Sequence, residues 1–164
     1  MKRKIILRNK PATPAVSIID PVFAEVAGLI TAARQRAYQA VNSALIDLYW
    51  QVGETISRKV AAAAWGKSVL QQLADYLRRT QPGLRGFSAQ NLWRMKLFWE
   101  TYCDQPILSA LLRELPWTHN LIILNQSKRP EEREFYLRLA IQEKWSSREL
   151  ERQFKTALFE RTVL

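Results

Sequence analysis

The apolar residues of this chain recur at three- and four-residue steps and almost never alternate, which predicts helices throughout. The first run opens at Asp20-Pro21, an N-cap residue followed by proline at the first helical position, where its missing N–H leaves no bond unmade. From there Val26, Ile30, Ala33, Ala37, Ala40 and Ala44 form one row, and Val41, Leu45, Leu48, Val52 and Ile56 a second that overlaps it. A helix from Pro21 to about Ser57 would be roughly 55 Å long, more than a small domain covers by itself. The small side chains of Ala33, Ala37, Ala40 and Ala44 let another helix approach closely, either from a second copy in a homodimer or from later in the same chain.

Beyond the break at Trp65-Gly66, Val69, Leu70, Leu73, Tyr76 and Leu77 give the buried face of a helix over 67–79. Pro82, Gly83 and Gly86 mark a loop, and Ser88 caps a helix over about 89–103 with Leu92, Met95, Trp99 and Tyr102 inward. A short helix is expected over 106–113, one over 119–126 capped by Thr118, and one over 130–143 whose Glu131 and Glu132 complement the positive helix start. Ser146 and Glu149 read as a capping box for a last helix over 147–159, with Leu150, Phe154, Ala157 and Leu158 inward. The expected fold is all-α: a multi-helix bundle with a long N-terminal helix and helix-turn-helix-like pairs. The most strand-like run, Leu121–Leu124, is the only place for a minimal wing, although the cap before it favours helix. The expected organisation is a basic flexible arm over 1–19 and a single helical domain over 20–164.

Charge adds a partner to this picture. A net +10 attracts polyanions through counterion release, and Lys2, Arg3, Lys4, Arg8 and Lys10 against Asp20 put +4 of it in the first 20 residues. The lone Cys103 cannot form an intramolecular disulfide and points to a reducing compartment. Ile5-Ile6-Leu7 is too short for a secretion signal, and no run approaches the roughly 20 apolar residues a membrane helix needs. A cytoplasmic location without a membrane partner is expected.

Catalysis is not expected. One Cys and one His exclude zinc sites built from those residues. His119 has only Thr118 beside it and reads as structural. Gly66-Lys67-Ser68 mimics the end of a phosphate loop, but that motif's first glycine would fall at Ala61. No acid stands two residues before a lysine, the pair that Mg²⁺-dependent nucleases of the common strand-borne type require. Glu131, Glu132, Glu134 and Glu143 alternate with Arg129, Arg133, Arg138 and Lys144 as a solvated, ion-paired face. No cofactor or metal is implied.

Two helix pairs could present nucleic-acid-binding residues. One places Arg85, Gln90, Asn91, Arg94 and Lys96 around the start of the 89–103 helix, where Arg, Asn and Gln suit base edges and a helix N-terminus suits phosphate. Its connection is longer than a strict helix-turn-helix allows. The other joins 130–143 to 147–159 through Lys144-Trp145-Ser146, with Arg148, Arg152 and Lys155 in one stripe diluted by Glu149 and Glu151. Of the six tryptophans, Trp93 alone lies off the apolar stripes, beside Arg94; the others read as core anchors.

Ala33-Arg-Gln-Arg-Ala37, Ala40-Val-Asn-Ser43, Leu48-Tyr-Trp-Gln-Val-Gly53, Trp65-Gly66, Pro82-Gly83, Gly86-Phe-Ser88, Leu115-Pro-Trp117, His119-Asn120 and Trp145-Ser146 occur in this order. Over residues 22–161 the chain thus resembles the N-terminal domain of YhcG-type proteins. The resemblance implies a winged-helix-like, DNA-binding unit that precedes a PD-(D/E)XK nuclease domain. This sequence stops at Leu164, where the nuclease half would begin. The expected function is therefore a non-catalytic DNA-binding and dimerisation module, with DNA, a second copy, and a nuclease domain in cis or trans as partners. The alternative is a scaffold that holds a homodimer or a nuclease domain without touching DNA.

Overall fold

A computed structural model describes residues 21–62, 66 and 68–163. The arm over 1–19, the Asp20 cap, Trp65 and Lys67 lie outside the described residues. Eight α-helices are described: α1 (Pro21–Ala61), α2 (Val69–Thr80), α3 (Ala89–Tyr102), α4 (Pro106–Leu112), α5 (Trp117–Gln126), α6 (Pro130–Gln142), α7 (Ser147–Lys155) and α8 (Leu158–Val163). No strand occurs among the described residues, and the candidate wing Leu121–Leu124 is part of α5.

The chain divides into two units at Gln35, inside α1. In the first, every described residue from Pro21 to Gln35 is exposed, Phe23, Leu29 and Ile30 among them. In the second, α1 turns Ile46, Gly53, Ile56 and Ser57 inward. Two apolar clusters fill this unit. The larger gathers Ile46, Phe98, Leu112, Ile123, Leu137, Leu150 and Phe159; the smaller holds Ile56, Ala74, Leu92 and Met95 between α1, α2 and α3. Tyr49 and Trp117 pack against both clusters and join them, their rings 4.9 Å apart.

Four helix ends differ from the sequence reading, each for a local reason. α5 starts at Trp117 behind Pro116, whose carbonyl accepts the first helical bond from Asn120 at 3.1 Å, so Thr118 lies within the first turn and is not the cap. Ser146 Oγ accepts from Glu149 N at 3.2 Å, but the Glu149 carboxylate turns to Arg152 and Gln153, leaving the reciprocal half of the capping box unmade. The last helix breaks in two: Ala157 takes the left-handed conformation (φ 50), and Phe159 turns inward with its N–H donating to Tyr136 Oη at 3.3 Å. Glu132 is buried and accepts the Lys128 backbone N–H at 2.8 Å, so it fastens the start of α6 and does not belong to the solvated acidic face. Between α6 and α7, Lys144 (φ 51) occupies the left-handed position of a Schellman turn, closed by Trp145 N–H to Ala140 O at 3.2 Å.

Candidate nucleic-acid interface

The corner formed by α2, the 81–88 loop and α3 is held by a small number of exacting contacts. Gly83 and Gly86 take positive φ (84 and 88) and turn the loop. Ser88 Oγ accepts the Asn91 backbone N–H at 3.2 Å and caps α3. The Asn91 side chain is used twice: its amide N–H donates to Gly86 O, and its carbonyl accepts the Trp117 indole N–H at 3.1 Å. Asn91 thus ties the loop to the core, with one amide N–H and one carbonyl lone pair committed within the fold. Against α1, α3 approaches so closely that a Cβ on Gly53 would lie 2.1 Å from Met95 O.

Of the residues singled out here by sequence, Arg85 and Gln90 are exposed and Arg94 is half-buried, and none makes a side-chain hydrogen bond or ion pair among the described residues. Lys96 differs. It is 9% exposed, its Nζ lies 2.8 Å from Glu100 Oε1 and 4.6 Å from the centroid of the Trp93 ring. Glu100 also accepts from Ser57 Oγ at 2.6 Å. Partial burial raises the Glu100 pKa, but the hydrogen bonds from Lys96 and Ser57 and the Lys96 charge outweigh it and hold the group below its ordinary value. Lys96 is therefore committed within the fold, while it orients Trp93, whose ring is 51% exposed.

Sequence reasoning overlooked Arg78 and Arg79 at the end of α2. The signal was present: between Asp75 and Glu100 the chain carries Arg78, Arg79, Arg85, Arg94 and Lys96 and no carboxylate. Arg78, Gly86 and Ser88 line one cavity of about 120 Å³, which puts the end of α2 beside the start of α3. Arg78 still holds Asp75 at 3.2 Å; Arg79 is exposed and unpaired among the described residues.

The other group lies on α7. Arg148, Arg152 and Lys155 are all exposed, but Arg152 is bound twice by Glu149, at 2.6 and 2.9 Å. Hydrogen bonds from Arg152 and Gln153 hold the Glu149 carboxyl below its usual range. With Glu151 on the same nine-residue helix, two carboxylates stand among its three cations.

Among the residues singled out for dimerisation, Ala33 belongs to the first unit and Ala37, Ala40 and Ala44 to the second; all four are exposed. His119 is buried, with Nε2 2.7 Å from Trp145 O. Asn120, fully buried, donates to the Leu112, Leu115 and Pro116 carbonyls at 2.9–3.3 Å. His119 and Asn120 thus fasten α5 to the α6–α7 turn and to the end of α4. Among the described residues no cluster of His, Cys, Asp or Glu could hold a metal ion, and no helix is long and apolar enough to cross a membrane.

The chain belongs to the family described as the DUF1016 N-terminal domain, which it matches over residues 25–161. Among curated proteins it is similar to "Putative nuclease YhcG" of Escherichia coli (strain K12), at 28% identity over 83% of this chain. The chain spans 44% of that relative's length. No solved structure matches it.

Proposed function

We propose that the chain is the non-catalytic DNA-binding and dimerising module of a nuclease-type protein, and that DNA docks on the α2–α3 corner. The observation that carries the first half is the unopposed charge there: Arg79 at the end of α2, Arg85 on the loop that Asn91 fastens and Arg94 on α3 have no carboxylate partner, and Trp93, on the same helix as Arg94, has an exposed ring. Free cations at a helix start suit phosphate, and an exposed aromatic ring offers a stacking surface for a base. The link to nuclease chemistry rests on the family and on the relative's name. Cleavage would belong to a separate nuclease domain, in cis or in trans. A fluorescence-anisotropy titration with a short duplex at low salt tests the reading: binding should appear, weaken steeply as salt rises, and fall with Arg85→Ala or Arg94→Ala. Absence of binding at low salt removes it.

A second reading, a scaffold that makes no contact with DNA, is favoured by a different observation. Tyr38, Val41, Leu45 and Leu48 stand exposed along α1, an apolar face that suits a protein partner. The same titration separates the two, since a scaffold would leave the duplex unbound.

A further inference from the structure

The second unit contains a groove of about 550 Å³ whose walls are apolar: Leu48 and Val52 from α1, Leu73 and Leu77 from α2, and Leu84 and Phe87 from the loop. On α1 it continues a ridge. Tyr38, Val41, Leu45, Leu48 and Val52 follow one another at three- and four-residue steps, and the first four are 42–66% exposed. No charged residue belongs to this series. It is distinct from the inward face of the same helix, where Ile46, Gly53 and Ile56 meet the core.

We infer that this groove and ridge are the seat of a second copy of the chain, with α1 of each copy laid on the groove of the other. The inference rests on the dimerisation half of the function proposed above and not on its DNA-binding half. Area argues for it. Tyr38, Val41, Leu45, Leu48 and Leu84, all in the second unit, are each about half exposed. At on the order of 100 Å² apiece they expose roughly 500 Å² of apolar surface per copy, about 1,000 Å² over a two-fold contact, which reaches the lower bound for a specific interface. Self-complementarity argues for it too. A two-fold contact places the same patch on both sides, so it needs a ridge, a groove and no like charges in one patch, and the ridge from Tyr38 to Val52 and the residues that line the groove include no charged side chain.

The test is the solution mass of the full chain by light scattering or sedimentation, on wild type and three variants. Wild type should run at twice the 19.1 kDa of one chain. Leu48→Asp, in ridge and groove, and Leu84→Asp, on the far wall, should each return it to one chain with an unchanged helical circular-dichroism spectrum. Ile107→Asp, at a still more exposed apolar position on α4, should leave the dimer intact. A monomeric wild type overturns both the dimerisation reading and this placement. A wild-type dimer that survives Leu48→Asp and Leu84→Asp overturns the placement alone.

Discussion

The α2–α3 corner and the α6–α7 pair are both rich in basic residues, yet they differ in how many carboxylates stand among those charges. On α7 two carboxylates lie within one helical turn of three cations; Glu149 occupies Arg152 with two bonds, while Arg148 and Lys155 make no ion pair among the described residues. Around α3 there is no carboxylate from Asp75 to Glu100, so Arg79, Arg85 and Arg94 remain open, and only Lys96, which Glu100 takes up, and Arg78, which Asp75 holds, are spent. A count of basic residues therefore says little about phosphate binding. What matters is how many of them lack an acid within reach, because a paired guanidinium must surrender one partner to gain another.

The comparison can be attacked first through the support of the corner. Gly53→Ala would drive a methyl group into the Met95 carbonyl and push α3 away from α1. It should cost about 3 kcal/mol in urea or thermal unfolding and abolish duplex binding, while the local bonds of the α6–α7 turn need not change. Next in size is Asn91→Ala, which leaves the Trp117 indole N–H without its acceptor and frees the loop at Gly86. About 2 kcal/mol should be lost, with faster amide exchange over 81–88.

Direct removal of charge then sharpens the contrast. Arg94→Ala or Arg85→Ala should each weaken duplex binding about fivefold, near 1 kcal/mol, and Arg152→Ala less than about twofold, all by anisotropy at one salt concentration. Equal losses at all three positions would erase the distinction between the two regions. Smaller still is Lys144→Gly in the turn of the α6–α7 pair. Glycine relieves the left-handed strain of about 1 kcal/mol but gains freedom in the unfolded chain, so a net stabilisation of about 0.5 kcal/mol should appear in thermal unfolding, with DNA affinity nearly unchanged.

The weakest effect is that of acid. Glu100 is held below its ordinary 4.5, so its contribution to stability is complete above about that pH and is lost as the pH falls through the lowered folded value. Glu100→Gln should flatten this part of the pH–stability curve. Because the carboxylate is partly solvated, the change should be small beside that of Gly53→Ala.

Much of the helical order was legible before any coordinates. The three- and four-residue spacing located the long first helix, Ser88 and Ser146 were recognisable as caps from their side-chain chemistry, and Pro106 and Pro130 marked helix starts. These are local signals, set by residues within one turn of each other, and a sequence carries them in full. The break at Ala157 was not legible, since no glycine or proline marks it and the turn serves to place Phe159 against Tyr136, a contact 23 residues distant.

The same division runs through the candidate interface. Residue types suited to DNA could be named from the sequence, and so could a charge-free series along the first helix. Only the tertiary structure decided that Asn91 serves Trp117 and Gly86, that Lys96 is sheltered beneath Trp93 with Glu100, and that Val52, Leu77 and Leu84 face one groove. The physical reason is one of range. Helix formation depends on neighbours three and four residues away, whereas the availability of a side chain depends on whatever the fold brings against it from anywhere in the chain.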